Sequence, residues 1–393
     1  MSYNFDTVID RHGTACLKFD FCEERHRPHD VFSYWVADMD FPTAPEVIEA
    51  LTARVKNGIF GYTDVKQPYF DAVQRWYAER FGYTVERSWL TVTPGVVFAI
   101  ALAVQAFTEK GDGVLIQNPV YYPFSETVNA NHRKLVGSSL VWKNGRYELD
   151  FVDFEQKIVS ENVKLFLLCN PHNPGGRSWT RSELERLGNI CVKHGVIVFS
   201  DEIHSDFVWQ PNTHTMFASI KPEFEAITVT ATAPTKTFNL AGLQISNIFV
   251  ADSALRAKFR HTLDAAGYSQ PATLGLTACE AAYRQGAAWL EAVRNYIESN
   301  IDFAVSYIND AAVGMTAYKP EATYLVWIDC NGTGLDDKAL NDVITHKAKL
   351  WLDAGTIFGK EGRCFQRINV ATSRAYLEQG LARLVEAIKA ARA

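Results

Sequence analysis

The chain has 393 residues, enough for two domains rather than one core, and it is 47% hydrophobic and 21% charged, the balance of an ordinary soluble globular protein. A formal net charge of −6 and a pI near 6.0 exclude a general nucleic-acid binder while leaving room for a local basic pocket. Seven cysteines occur without a CxxC pair or a Cys/His cluster, so neither a disulfide framework nor a metal site is indicated, and reduced thiols in the cytoplasm are expected. Residues 1–10 are polar, unlike a signal peptide, and no apolar run approaches a membrane span.

In chain order, residues 1–33 are polar and irregular, with Arg25, His26, Arg27, His29 and Asp30 clustered, and read as an arm. The stretch 34–42 carries Asp38 and Asp40 inside an apolar patch and reads as an extended segment at a pocket rim. A helix is expected from Pro45, with Ile48, Leu51 and Val55 as its apolar face and Gly58 as its stop. Gly61-Tyr62-Thr63 forms a loop, and a second helix carries Phe70, Val73, Trp76 and Tyr77. From Leu90 the pattern becomes α/β. Strands are expected at about 90–93, 114–117, 164–169, 196–199, 227–230 and 244–250, with a helix after Gly95 running through Phe107. Thr180 and Glu183 form a capping box for another helix. Such alternation predicts a mostly parallel sheet covered on both faces. Beyond about 285 come a long amphipathic helix, a strand at 323–329, a helix near Leu340, a strand at 365–370 and a final helix from Tyr376. The expected division is an arm with part of a small domain at 1–50, a large domain at 51–285 and a small α+β domain at 286–393.

Lys236 is the centre of this pattern. It follows the strand at 227–230, is separated from it by Pro234, and sits among Thr230, Thr232, Thr235 and Thr237. A lysine among apolar and hydroxyl groups has a lowered pKa and can form a Schiff base. Asn173, Asp201, Tyr121 and the segment Gly95, Val96, Val97 each also follow a predicted strand, at the carboxyl edge where open parallel sheets bind ligands.

The ordered motifs Trp35-Val36-Ala37-Asp38-Met39-Asp40-Phe41, Gly61-Tyr62-Thr63, Thr93-Pro94-Gly95-Val96-Val97, Pro119-Val120-Tyr121-Tyr122-Pro123-Phe124, Cys169-Asn170-Pro171-His172-Asn173-Pro174, Ser200-Asp201-Glu202-Ile203-His204-Ser205-Asp206, Ala233-Pro234-Thr235-Lys236-Thr237-Phe238-Asn239 and Phe365-Gln366-Arg367-Ile368-Asn369 span nearly the whole chain. In this set the sequence resembles fold-type I pyridoxal 5'-phosphate (PLP) enzymes of the class I/II aminotransferase superfamily, and within it the MalY/PatB-type cystathionine β-lyases, which cleave cysteine S-conjugates.

The resemblance implies an aspartate aminotransferase-like α/β fold and a role for each matched residue. Lys236 would carry PLP and move the Cα proton. Asp201 would face the pyridine nitrogen, Asn173 the phenolic oxygen, and His204 either that oxygen or the Asp201 side. Tyr121 would stack on the ring. The amides of Gly95, Val96 and Val97, with the hydroxyls of Thr235 and Thr232, would hold the phosphate. Tyr62 would reach the phosphate of a partner subunit, implying a homodimer with shared sites. Arg367 would fork onto the substrate α-carboxylate, with Asp38 and Tyr62 beside the substrate and Arg374 set aside. Many aminotransferases carry an arginine shortly after the lysine. Here that stretch reads Gly242-Leu243-Gln244-Ile245-Ser246, a departure shared with the lyase branch. The implied reaction is β-elimination from a small sulfur amino acid to a thiol, pyruvate and ammonia, with amino-acid transamination as the alternative.

Overall fold

The computed structural model describes residues 3–392. Its main sheet has seven strands, numbered here β1 (Leu90–Thr93), β2 (Gly113–Asn118), β3 (Lys134–Ser139), β4 (Val163–Cys169), β5 (Ile197–Asp201), β6 (Thr228–Thr232) and β7 (Ser246–Phe249). Their spatial order is β1-β7-β6-β5-β4-β2-β3. Strands β2 to β6 pair in parallel. Only β7 breaks the pattern, running antiparallel to both β1 and β6.

The apolar runs follow from burial on both sides. In β4, Leu165 and Leu167 face a cluster with Ala99, Ile100 and Val104 of the helix Val96–Phe107. The alternate residues Phe166 and Leu168 face Leu184 and Leu187 of the helix Arg181–His194. A strand that buries both faces needs no polar alternation, and only Lys164 in β4 is exposed. Each such leucine or phenylalanine contributes about 1.5–3 kcal/mol on leaving water. The capping box of Thr180 and Glu183 is formed, with both reciprocal hydrogen bonds.

The helix Pro45–Asn57 differs from its expected orientation. Val47 is its buried residue, while Ile48 and Val55 are 46% and 51% exposed. The helix packs on the helix Thr273–Gln285, and its apolar stripe instead continues outward into exposed Ile59, Phe60 and Tyr62. A periodic stripe identifies an apolar face without saying what covers it.

A second, antiparallel sheet contains Thr316–Ala317, Leu325–Asp329, Phe365–Asn369 and Asp353–Ala354 in that order. The helix Ala287–Asp310 packs against the helix Arg374–Arg392. The arm returns to this part of the chain. Phe32–Ser33 pairs in parallel with Leu350–Trp351, and Trp35 stacks on Trp351 with ring centroids 4.5 Å apart. The segment after the arm is thereby drawn across the carboxyl edge of the main sheet, where Cys169, Asp201 and Ala231 stand side by side in register.

Candidate active site

Strand β6 delivers Lys236. Pro234 opens a single helical turn, Pro234–Thr237, immediately after the strand, and the turn is pinned from below. Thr237 donates to the buried carboxylate of Asp206 at 2.8 Å, which also receives Arg80 at 2.7 Å and the Trp76 indole at 3.3 Å. Lys236 Nζ donates to the carbonyl of Ala37 at 2.6 Å, and the Tyr324 hydroxyl donates to the same oxygen at 3.0 Å. Burial, with help from the nearby positive charge of Arg367, lowers the amine to about 8 against the opposing pull of Asp38 and Asp201. A neutral amine is therefore accessible near physiological pH.

Asp201 ends β5, and its carboxylate accepts a hydrogen bond from Ile203 N at 3.2 Å. Among the described residues it has no ion-pair partner, and burial pushes it up to about 7. Asn173 lies in the turn after β4, tied to the neighbouring loop by a bond from Tyr121 N to its carbonyl at 3.0 Å. Its side-chain oxygen accepts from Arg367 at 2.8 Å, which directs the amide donors elsewhere. His204 is buried and held neutral. Burial and the charges of Lys236 and Arg367 press its pKa down to about 3, and its Nδ1 has no hydrogen-bond partner.

The opposite end of the cavity suits an anion. Gly95 precedes the helix Val96–Phe107 with φ +123°, a conformation that side-chain-bearing residues avoid. The first-turn amides of that helix have no intrahelical acceptor and point out along its dipole. Thr235 is buried beside them. Thr232 does not join: its hydroxyl is spent on Asn247 O at 2.9 Å within the sheet. Lys236, Asp201, Asn173, His204, Tyr121, Thr235, Gly95, Val96 and Val97 all line one cavity of about 320 Å³.

Arg367 comes from the strand Phe365–Asn369 of the second sheet and is 3% exposed. It ion-pairs with the buried Asp353 and donates to Trp35 O at 2.8 Å, while its Nε has no partner. None of the three residues expected beside the substrate is among those lining the cavity: Arg367 meets it only through its bond to Asn173, and Asp38 and Tyr62 are placed elsewhere. Asp38 is ion-paired to Arg11 at 2.7 Å, with Lys18 at 3.7 Å. Tyr62 is 97% exposed. Arg374 is engaged elsewhere, with Asn300 at 2.8 Å.

Asn239 and Asn369 close two of the quoted motifs without an expected role, and Tyr324 lies outside those motifs. The Asn239 amide donates to Met39 O and Phe41 O, each at 2.9 Å, and its oxygen accepts from Met39 N at 2.9 Å. Asn369 donates to Val36 O at 2.7 Å and Asp38 O at 2.6 Å. Together they clip the segment 36–41 over the lysine. An asparagine two or three residues beyond a chemically important one, present after both Lys236 and Arg367, is the available signal.

The family model described as "Aminotransferase class I and II" matches residues 35–384. The chain belongs to that family. It is 44% identical to cystathionine β-lyase PatB of Bacillus subtilis (strain 168), over 98% of this chain and 100% of the relative. It is 34% identical to Protein MalY of Escherichia coli (strain K12), over 99% and 100% respectively. Among solved structures, the PLP-bound C-S lyase from Staphylococcus hominis superposes with a TM-score of 0.93 at 31% identity, covering 99% of this chain and 98% of that one. The α/β fold with its mostly parallel sheet is thus that of a PLP-dependent, class I/II aminotransferase-type protein.

Proposed function

We propose that this chain is a PLP-dependent carbon–sulfur β-lyase that converts cystathionine or related L-cysteine S-conjugates to a thiol, pyruvate and ammonia. The observation that carries the reading is Lys236, its amine lowered to about 8, in one cavity with Asp201, a buried carboxyl group that has no ion-pair partner among the described residues. The names of two of the relatives, cystathionine β-lyase PatB and the Staphylococcus hominis C-S lyase, point to the same chemistry.

The polar groups of the cavity match those of PLP. Asp201 suits the protonated pyridine nitrogen, the amides of Gly95, Val96 and Val97 with Thr235 suit the phosphate, and Asn173 with the unpartnered His204 suits the phenolic oxygen. Tyr121 offers an aromatic face for the ring. Lys236 is the covalent anchor. When bound, the cofactor supplies an electron sink for the pair left at Cα after proton removal.

The protein's own groups do the rest. Arg367 holds the substrate α-carboxylate, a task for which its guanidinium is pre-aimed by Asn173, Trp35 O and Asp353. Lys236, neutral at its lowered pKa, takes the proton from Cα. The sulfur then leaves Cβ as a thiolate. Asp201 stays ionised once paired with the pyridinium, because a cation removes the penalty that burial imposes.

The assembly is read as a homodimer. Ile48 and Val55, on the helix Pro45–Asn57, and Ile59, Phe60 and Tyr62, in the loop after it, are exposed apolar side chains. Pairing through them would carry Tyr62 to the partner's phosphate site.

Incubation with L-cystathionine as the sole substrate tests the activity. A lyase releases pyruvate and thiol continuously without a keto-acid acceptor. A requirement for an acceptor, with no thiol formed, identifies a transaminase instead.

A further inference from the structure

A second cavity, of about 300 Å³, lies behind Arg367 and is lined by Arg25, Arg27, Trp35, Tyr122, Glu126 and Asp353, among others. Two links join it to the first, one through Arg367 and one through a pair of tyrosines. Arg367 reaches Asn173 of the first cavity with one Nη and Trp35 O and Asp353 of the second with the other. Tyr121, which lines the first, and Tyr122, which lines the second, have ring centroids 5.5 Å apart. A substrate whose α-carboxylate rests on Arg367 therefore has the second cavity as a neighbouring space for the rest of its chain.

The charges there are not consumed by the fold. The Arg25 guanidinium lies 4.8 Å from the centre of the Trp35 ring, and that of Arg27 5.7 Å from the centre of Trp351, one on each member of the stacked indole pair. Arg27 donates to Thr345 Oγ1 at 2.7 Å. Among the described residues, neither arginine has a carboxylate at ion-pair distance. Asp353 is committed to Arg367. Guanidinium groups held near aromatic rings and without a carboxylate partner retain N–H donors for a planar anion. Glu126, exposed on the same wall, adds a counter-charge for an ammonium. This set complements the zwitterionic end of an amino acid.

We propose that this second cavity is the subsite for the leaving thiol, and that Arg25 and Arg27 bind a carboxylate carried by that thiol, as in the homocysteine half of cystathionine. The proposal rests on the β-lyase reading. It assigns the preference for amino-acid thiols over simple alkyl thiols to the N-terminal arm.

The test is the ratio of kcat/KM for L-cystathionine to that for S-methyl-L-cysteine, a conjugate with the same α-amino acid end and a neutral leaving group. It is measured on holoenzyme of the wild type, Arg25→Gln, Arg27→Gln and Arg25→Lys. The ratio is expected to fall about tenfold or more in each glutamine variant, the size of a lost charged hydrogen bond, and to recover in part in Arg25→Lys. Arg25 is exposed and makes no side-chain hydrogen bond in the described structure, so its variants are expected to fold. An unchanged ratio, including an equal loss on both substrates, overturns the subsite. Failure of the wild type to release pyruvate from either conjugate overturns instead the lyase reading on which it stands.

Discussion

Arg367 Nη1 donates to Asn173 Oδ1 at 2.8 Å, so one hydrogen bond fixes both the guanidinium proposed to receive the substrate and the amide proposed to receive the cofactor's oxygen. The two residues come from different sheets, and the bond sets their spacing. Arg367→Ala is expected to raise KM for the amino acid about 10- to 100-fold, the value of a charged hydrogen-bonded contact, with a smaller effect on kcat. Steady-state kinetics on S-methyl-L-cysteine check this. Unchanged KM and kcat would remove Arg367 from the site.

Asp201 is predicted to trade stability for function. Its folded pKa, about 7, lies above the ordinary 3.8. In the apoprotein the folded state therefore holds a proton that the unfolded state releases between pH 4 and 7. Stability falls as pH rises through that window, and the full penalty persists above it. Apo Asp201→Asn should gain in Tm over the wild type more at pH 8 than at pH 5. Its holo form should lose turnover by about 10²–10³, the scale for removing a pre-aimed electrostatic group, and far more than Asn173→Ala. A Tm difference independent of pH, or equal mild losses of activity in the two variants, would contradict this.

Asn239 holds the segment over Lys236 through three hydrogen bonds of 2.9 Å. Asn239→Ala leaves one amide and two carbonyls without their partner, which costs about 1–3 kcal/mol when such groups are buried. Thermal unfolding should show the loss. The Lys236–Ala37 contact should loosen with it, seen as faster hydrogen exchange in residues 37–41. Wild-type stability and exchange would show that the clip is dispensable.

The exposed apolar side chains of the helix Pro45–Asn57 and the loop after it predict a dimer. Sedimentation of the wild type should give twice the 44.1 kDa chain mass, and Phe60→Asp should shift it toward monomer. Tyr62→Ala should weaken PLP retention while the dimer persists. A wild-type monomer that retains PLP would refute both the assembly and the role of Tyr62.

Much of this arrangement was legible in the sequence because it rests on local rules. The buried run of β4, the capping box of Thr180 and Glu183, and Pro234 after β6 all act within a few residues. The residues that follow strands met at one cavity because parallel strands present their carboxyl ends on one edge. What was not legible depends on distant partners. The antiparallel run of β7 leaves no local mark, since it is wholly buried just as the strands on either side of it are. The helices Pro123–Ala130 and Phe151–Ser160 were not assigned, and both are short and flanked by turn residues. Asn239 and Asn369 bond backbone carbonyls about 200 and 330 residues away in sequence, and no periodicity records such targets. Ile48 and Val55 carry the spacing of a core face, and spacing alone does not record that the fold leaves them exposed.

The most direct test of the account is a peptide map after borohydride reduction of the protein saturated with PLP. The prediction is a single phosphopyridoxyl label on Lys236, with labelling rising through pH 8 as the amine loses its proton. A label on any other lysine, or none at all, would contradict it.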